Sequence, residues 1–434
     1  MQLVPSRNFD RDDYASRKML SLAVWGLAVA GCLALSLYVV SRAKYSGQDS
    51  WFPMASALDL LQANSTRPIY QILFFSGHIK FQYPPSGLFL IDLLRHIGLT
   101  TSLQYNTINA GALILTGVAF SIFAVQTLGP IRFYGFEFPV GPVAFLVALR
   151  FYPNNLAFQF GQMQILLGLL VILACLAQSN KRSVLAGCLI AAVAAVKPQL
   201  ALLGLLALWQ RDWRFFAGFS LFFALALGLS IALYGWNNNL DYLKVLTFLS
   251  QHGEYHHLNQ SLNGMLNRFL YQGPSVDRDP DNPIPNSAFP PFIPGVYWPT
   301  LFSSLLMIVT PFFIRTTDAR MSRLLNFCLA IILFTMSSPI AWVHHYNLLL
   351  PAFPVALRVS LDRFEAQPTV FPTVFLLVLL AISIALTGLP LMPPFGPTIP
   401  ELNFLQSHVF VGASILAGVL LWLAYSQPRL TQTN

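Results

Sequence analysis

The chain has 434 residues, of which 55% are hydrophobic and only 10% charged, against about 25% charged in soluble domains. That balance excludes an ordinary soluble enzyme and describes a chain whose solvent is mostly lipid. The excess of 25 Lys and Arg over 17 Asp and Glu, a net charge of +8, is what membrane proteins collect in cytoplasmic loops; it implies no nucleic-acid partner.

Residues 1–18 form a polar head carrying Arg7, Arg11, Arg17 and Lys18. The first apolar run, Met19–Val40, is too long for a signal-peptide core and lacks a small-residue cleavage site, so it reads as an uncleaved anchor. The polar stretch 41–85 follows as a first extracytoplasmic loop, with a short helix expected over Trp51–Gln62. Apolar segments come next near 86–98, 104–127, 138–150, 163–178, 183–209 and 214–234. A long polar stretch, 235–296, precedes five more near 297–314, 323–338, 345–357, 369–388 and 406–425. The pattern predicts an all-α polytopic protein forming one integral membrane domain over 1–434. Roughly a dozen transmembrane helices are expected, some of them short or re-entrant.

Arg429, Arg358 with Arg363, Arg315 with Arg320 and Arg323, and Arg211 with Arg214 fall on alternate connections. The positive-inside rule therefore places 235–296, 338–344 and the first loop on the extracytoplasmic side of the plasma membrane. Lys181-Arg182 and Arg211 both belong inside, so 183–209 must enter and leave on one side. The break at Lys197-Pro198 allows this, because Pro cannot continue the helical hydrogen-bond ladder. The 128–160 stretch needs a similar short passage.

Polar groups beside apolar spans carry the functional signal. On the assigned outer side these are Asp49, Tyr83, the Gly161-Gln162 turn, Lys197, the Asn259–Arg268 stretch with Gln260, and His344-His345. One acid, several cations and amides at one interface suit an anionic, lipid-anchored substrate. Asp49 reads either as the cap of the following helix or as a general base accepting a hydroxyl proton. Lys197 either snorkels or binds phosphate, with Arg268 as a second, bidentate contact. Cys32, Cys175, Cys188 and Cys328 lie in apolar runs as packing residues. His252, His256 and His257 match no zinc spacing, and no metal or cofactor is expected. Asn64-Ser65-Thr66 and Asn259-Gln260-Ser261 match the glycosylation pattern, which arises easily by chance.

Several of these segments occur together in one order: Asp49, Tyr83-Pro84-Pro85, Gly161-Gln162-Met163-Gln164, Ala186-Gly187, Lys197-Pro198, Asn259-Gln260-Ser261, Arg268, and Ser338 through Tyr346. The ordered set resembles glycosyltransferase family 87 over roughly residues 45–360. The resemblance implies a GT-C membrane fold and an inverting transfer of a hexose, mannose above others, from a polyprenyl-phosphate-linked donor. The acceptor would be a glycolipid or glycan outside the membrane. It maps a catalytic base onto Asp49 and leaves a bridged metal without the second acid it needs. Lys197, Arg268 and His345 would then neutralise the leaving phosphate, with His344, Tyr83, Gln162 and Gln260 completing the substrate contacts. The rival class is a transporter or lipid flippase, which would favour paired halves with matching broken helices; no such repeat is visible. A GT-C ligase with a diphosphate donor would call for more cations in 235–296.

Overall fold

The structure is a computed structural model, and it describes residues 11–63, 67–133, 136–270, 289–314, 320–366, 370–391 and 400–426. The expectations at Arg7, Asn64-Ser65-Thr66, Arg315 and Arg429 lie outside the described residues, as do the side chains of Arg11 and Arg17.

Seventeen α-helices occur among the described residues. The first six are α1 Arg11–Arg42, α2 Trp51–Ala63, α3 Phe89–His96, α4 Ser102–Leu128, α5 Val140–Arg150 and α6 Tyr152–Gln159. Next come α7 Gln164–Ser179, α8 Ser183–Ala194, α9 Leu202–Trp209, α10 Trp213–Tyr234, α11 Trp236–His252 and α12 Leu262–Leu270. The last five are α13 Pro294–Phe313, α14 Arg320–Met336, α15 Ala352–Ala366, α16 Val370–Gly388 and α17 His408–Tyr425. A two-residue hairpin pairs Arg132–Phe133 with Phe136–Glu137.

Six helical stretches are long and apolar enough to cross a membrane: Lys18–Tyr45, α4, α10, α13, α16 and α17. The expected dozen, which included short or re-entrant passages, is not confirmed by these six; four shorter apolar helices stand beside them among the described residues. The other apolar runs are shorter or broken. The run at 86–98 becomes a 3-10 turn plus the eight-residue α3. That at 345–357 becomes a buried 3-10 turn, Val343–Leu349, running into α15.

Glycines show how two broken runs fold. Gly187 of α8 lies against the Phe215 carbonyl of α10, and Gly218 of α10 against the Val184 carbonyl. A Cβ at either would collide with backbone, so these two helices cross at contact distance. Gly204 of α9 packs on Phe219. Val184 and Gly187 of α8 and Gly204 of α9 thus meet the same part of α10, and the 183–209 segment turns back on itself at the Lys197-Pro198 break. In the 128–160 region, Gly117 and Ser121 of α4 meet Phe145 and Gly141 of α5. The chain then breaks at Phe151, whose ψ of 123 is non-helical, and α6 continues to Gly161.

Burial divides the helices by solvent. The α14 segment from Leu324 to Met336 is buried on every side, as expected for a central helix. By contrast α1 exposes Leu22, Leu27, Leu33 and Leu37, and α10 exposes Leu221, Leu225 and Leu229. Apolar surfaces of that extent suit lipid contact. Connections from Asp49 after α1 to His345 after α14 contribute residues to a common cavity.

Candidate active site

The site begins at a backbone seam. The N–H of Gly47 donates to the Gln159 carbonyl at 2.7 Å and that of Asp49 to the Phe160 carbonyl at 3.0 Å. Gly161 adopts φ 64, and the Gly47 carbonyl stands where its side chain would be, so both the conformation and the space require glycine. From α4, Asn106 Nδ2 donates to the carbonyls of Ser46 and Gly47 at 3.2 and 3.1 Å. These contacts clip the Asp49 loop onto the turn between α6 and α7.

That turn presents Gln162. Its Oε1 accepts from Ser50 Oγ and from Tyr83 OH, each at 3.0 Å. With the oxygen so engaged, Nε2 is turned to Asp49 Oδ2 at 3.3 Å. Among the described residues the Asp49 carboxylate accepts from Gln162 and caps no helix. It meets the cavity instead. Solvent reaches it, yet the surrounding walls raise its pKa above the ordinary carboxylate value, with the Gln162 bond and the charge of Lys80 pulling partly back. A carboxylate with one filled and one open oxygen can accept a proton.

Lys197 faces the same cavity of about 640 Å³, which Asp49, Tyr83, Gln162, His344 and His345 also line. Its Nζ lies 2.7 Å from His345 Nε2 and 5.5 Å from the centre of the Tyr83 ring. The two nitrogens share one hydrogen bond, so each side chain holds the other in place. His344 is buried, its ring edge-on to Trp342 and to His345. Tyr83 joins the two halves of the cavity, since its hydroxyl touches the Gln162 side and its ring lies under Lys197.

Two expected contacts do not reach this cavity. Arg268 is 1% exposed, and its Nη1 donates to the carbonyls of His256 and Asn259 at 2.8 and 2.9 Å. Nη2 donates to Ser407 Oγ at 2.5 Å. The expected second phosphate contact is thereby corrected: Arg268 ties the 255–259 loop to the start of α17. Gln260 is corrected in the same way. Its Oε1 accepts from the N–H groups of Val409 and Phe410, and its Nε2 donates to the carbonyls of His257 and Gln406. Asn259, fully buried, donates its amide to the carbonyls of Glu254 and Pro339; no glycan can attach there. Together these residues brace the pairing of 258–260 with 341–343, where Gln260 N–H meets the Ala341 carbonyl and Val343 N–H the Leu258 carbonyl. That pairing sets the position of His344 and His345.

The sequence reading missed a cluster on the other wall. Glu254, fully buried, accepts from Lys80 Nζ and from Trp342 Nε1, each at 2.5 Å. The Trp342 ring in turn stacks on His256, whose pKa burial pushes down to about 2, so it is neutral. Nothing in the sequence links Lys80 to Glu254 across a separation of 174 positions. Among the described residues no three His, Cys, Asp or Glu side chains converge on a metal position.

An acidic and a basic side chain, Asp49 and Lys197, thus line one cavity of a helical bundle whose outer faces suit lipid. The family model of glycosyltransferase family 87 matches residues 81–339, well over half of the chain. The chain belongs to that family and is a membrane glycosyltransferase. The matched region takes in Tyr83, Gln162, Lys197, Gln260 and Arg268 and stops short of Asp49, His344 and His345. No curated protein matches the chain.

Proposed function

We propose that the enzyme transfers a hexose, mannose above others, from a polyprenyl-phosphate donor to a glycolipid or glycan acceptor at the extracytoplasmic face of the plasma membrane. The observation that carries this reading is that Asp49 and Lys197 line one cavity. Asp49 takes the proton of the acceptor hydroxyl as that oxygen attacks the anomeric carbon. The bond from that carbon to the phosphate oxygen breaks in line, and the configuration inverts. Lys197, aligned by His345, balances the charge arriving on the leaving phosphate. Retention would need a second carboxylate as nucleophile, and among the described cavity residues Asp49 is the one acid. The polyprenyl chain lies against the apolar flank of the bundle, in lipid.

The test is transfer by purified protein in lipid nanodiscs. Polyprenyl-phosphate hexose with a lipid-extract acceptor should yield glycosylated product, and the matching nucleotide sugar should yield none. Product from the nucleotide sugar alone would overturn the donor assignment. A protein that moves the intact donor across the bilayer without transferring sugar would restore the flippase reading.

A further inference from the structure

A single turn of the chain touches the surroundings of both Asp49 and Lys197. Tyr83-Pro84-Pro85-Ser86-Gly87 leads into the 3-10 stretch Pro85–Leu88. Two prolines fix φ there. The Gly87 N–H donates to the Pro84 carbonyl at 2.8 Å, and Tyr70 OH donates to the Tyr83 carbonyl at 2.6 Å. A Cβ on Gly87 would stand 3.1 Å from that of Tyr83, tighter than ordinary contact. The turn is stiff, so the groups it touches are held at a set spacing.

Its first residue serves Asp49. Tyr83 OH donates to Gln162 Oε1 at 3.0 Å, and Gln162 Nε2 meets Asp49 Oδ2. Its fourth residue reaches the chain break that carries Lys197. Ser86 Oγ donates to the Ala195 carbonyl at 2.5 Å. Ala195 is the C-cap of α8, and a helix end leaves its last carbonyls without intrahelical partners. Pro198 brings no N–H to the broken ladder, so the end of α8 depends on donors from elsewhere. The turn also lays the Tyr83 ring 5.5 Å from Lys197 Nζ. Backbone and side chain at the break thus each rest on it.

Lys197 has another support in His345, whose Nε2 lies 2.7 Å from Nζ. The two supports act on different atoms. His345 holds the ammonium, while Ser86 holds the backbone from which the side chain projects. Ser86 itself is not among the residues that line the cavity. A shift of ~1 Å in a group that meets the reacting atoms can cost ~100-fold in rate, so a hydroxyl outside the cavity can still govern turnover.

We propose that Ser86 is a positioning residue for sugar transfer: by tying the end of α8 to the turn that also orders Gln162, it sets where the Lys197 ammonium stands relative to the Asp49 carboxylate. The inference rests on the glycosyl transfer proposed above.

The experiment is a double-mutant cycle of Ser86→Ala and Lys197→Ala on monodisperse protein, with polyprenyl-phosphate hexose as donor and a lipid extract as acceptor. Ser86→Ala alone should lower kcat about tenfold, the upper effect of one hydrogen bond. Affinity for a non-transferable polyprenyl-phosphate analogue should stay within about twofold, because His345 still holds Nζ. In the Lys197→Ala background the same substitution should cost less than about twofold, since the group it positions is gone. Losses that multiply would mean that Ser86 supports the fold at large and would overturn the proposal, and so would an unchanged kcat in Ser86→Ala. Should Ser86→Ala not accumulate, Ser86→Thr and Ser86→Val, alike in shape and different in the hydroxyl, decide instead. A Thr rate about fivefold or more above the Val rate supports the proposal, and equal rates overturn it. Absence of transfer by the wild-type enzyme would overturn the glycosyl-transfer reading, and this proposal with it.

Discussion

Asp49→Asn should lower the transfer rate by at least ~100-fold, the lower range for loss of a general base, while donor binding and membrane insertion persist. Asn keeps the size of the side chain and an oxygen that can still accept from Gln162 Nε2, now at 3.3 Å from the Asp49 carboxylate, but it cannot take a proton. Asn is also as good a helix cap as Asp, so a capping role would leave the rate nearly intact. The pH profile sharpens the test. Burial raises the Asp49 pKa, and the active form is the ionised one. The rate of the wild-type enzyme should therefore fall as pH drops through that raised value, with its acid limb above the ordinary carboxylate pKa of ~3.9. In the variant that limb should vanish. Equal rates in the two proteins would contradict the assignment.

Lys197→Ala should weaken donor binding and slow turnover together. The loss of one member of a desolvated charge pair costs ~2–5 kcal/mol, which corresponds to about 30-fold to a few thousand-fold in kcat/KM. The same truncation leaves His345 Nε2 without the hydrogen-bond partner it now has at 2.7 Å. Titration of the purified variant with a non-transferable polyprenyl-phosphate analogue measures the binding share directly. A lysine that only snorkels would leave that affinity unchanged.

The sequence made some of this arrangement readable. Runs of apolar residues long enough to span lipid appear as α4, α10, α13, α16 and α17 because length and composition alone decide such helices. The hairpin of α8 and α9 was readable from one residue pair, since Lys197-Pro198 is both a charge that must find a partner and a stop to the helix. Asp49, Tyr83, Gln162, Lys197, His344 and His345 all line the cavity. Arg268 and Gln260 were not separable from them by residue type. Both sit in the same polar stretch, and only the pairing of 258–260 with 341–343 turns them toward backbone carbonyls and N–H groups. Whether a buried cation faces ligand or backbone is a tertiary fact without a local signature. The number of spanning helices was not legible for a related reason. Runs of 10 to 17 residues such as α5, α7 and α8 carry the composition of spans, and their breaks follow from packing partners distant in sequence.

The contact of Asp49 and Lys197 with one substrate is tested most directly by a structure of the Asp49→Asn variant with intact polyprenyl-phosphate hexose. The phosphate oxygens should lie within hydrogen-bond distance of Lys197 Nζ, and the anomeric carbon should face position 49 across the cavity. A donor phosphate bound at Lys80 or Arg268, or a sugar turned away from position 49, would contradict it.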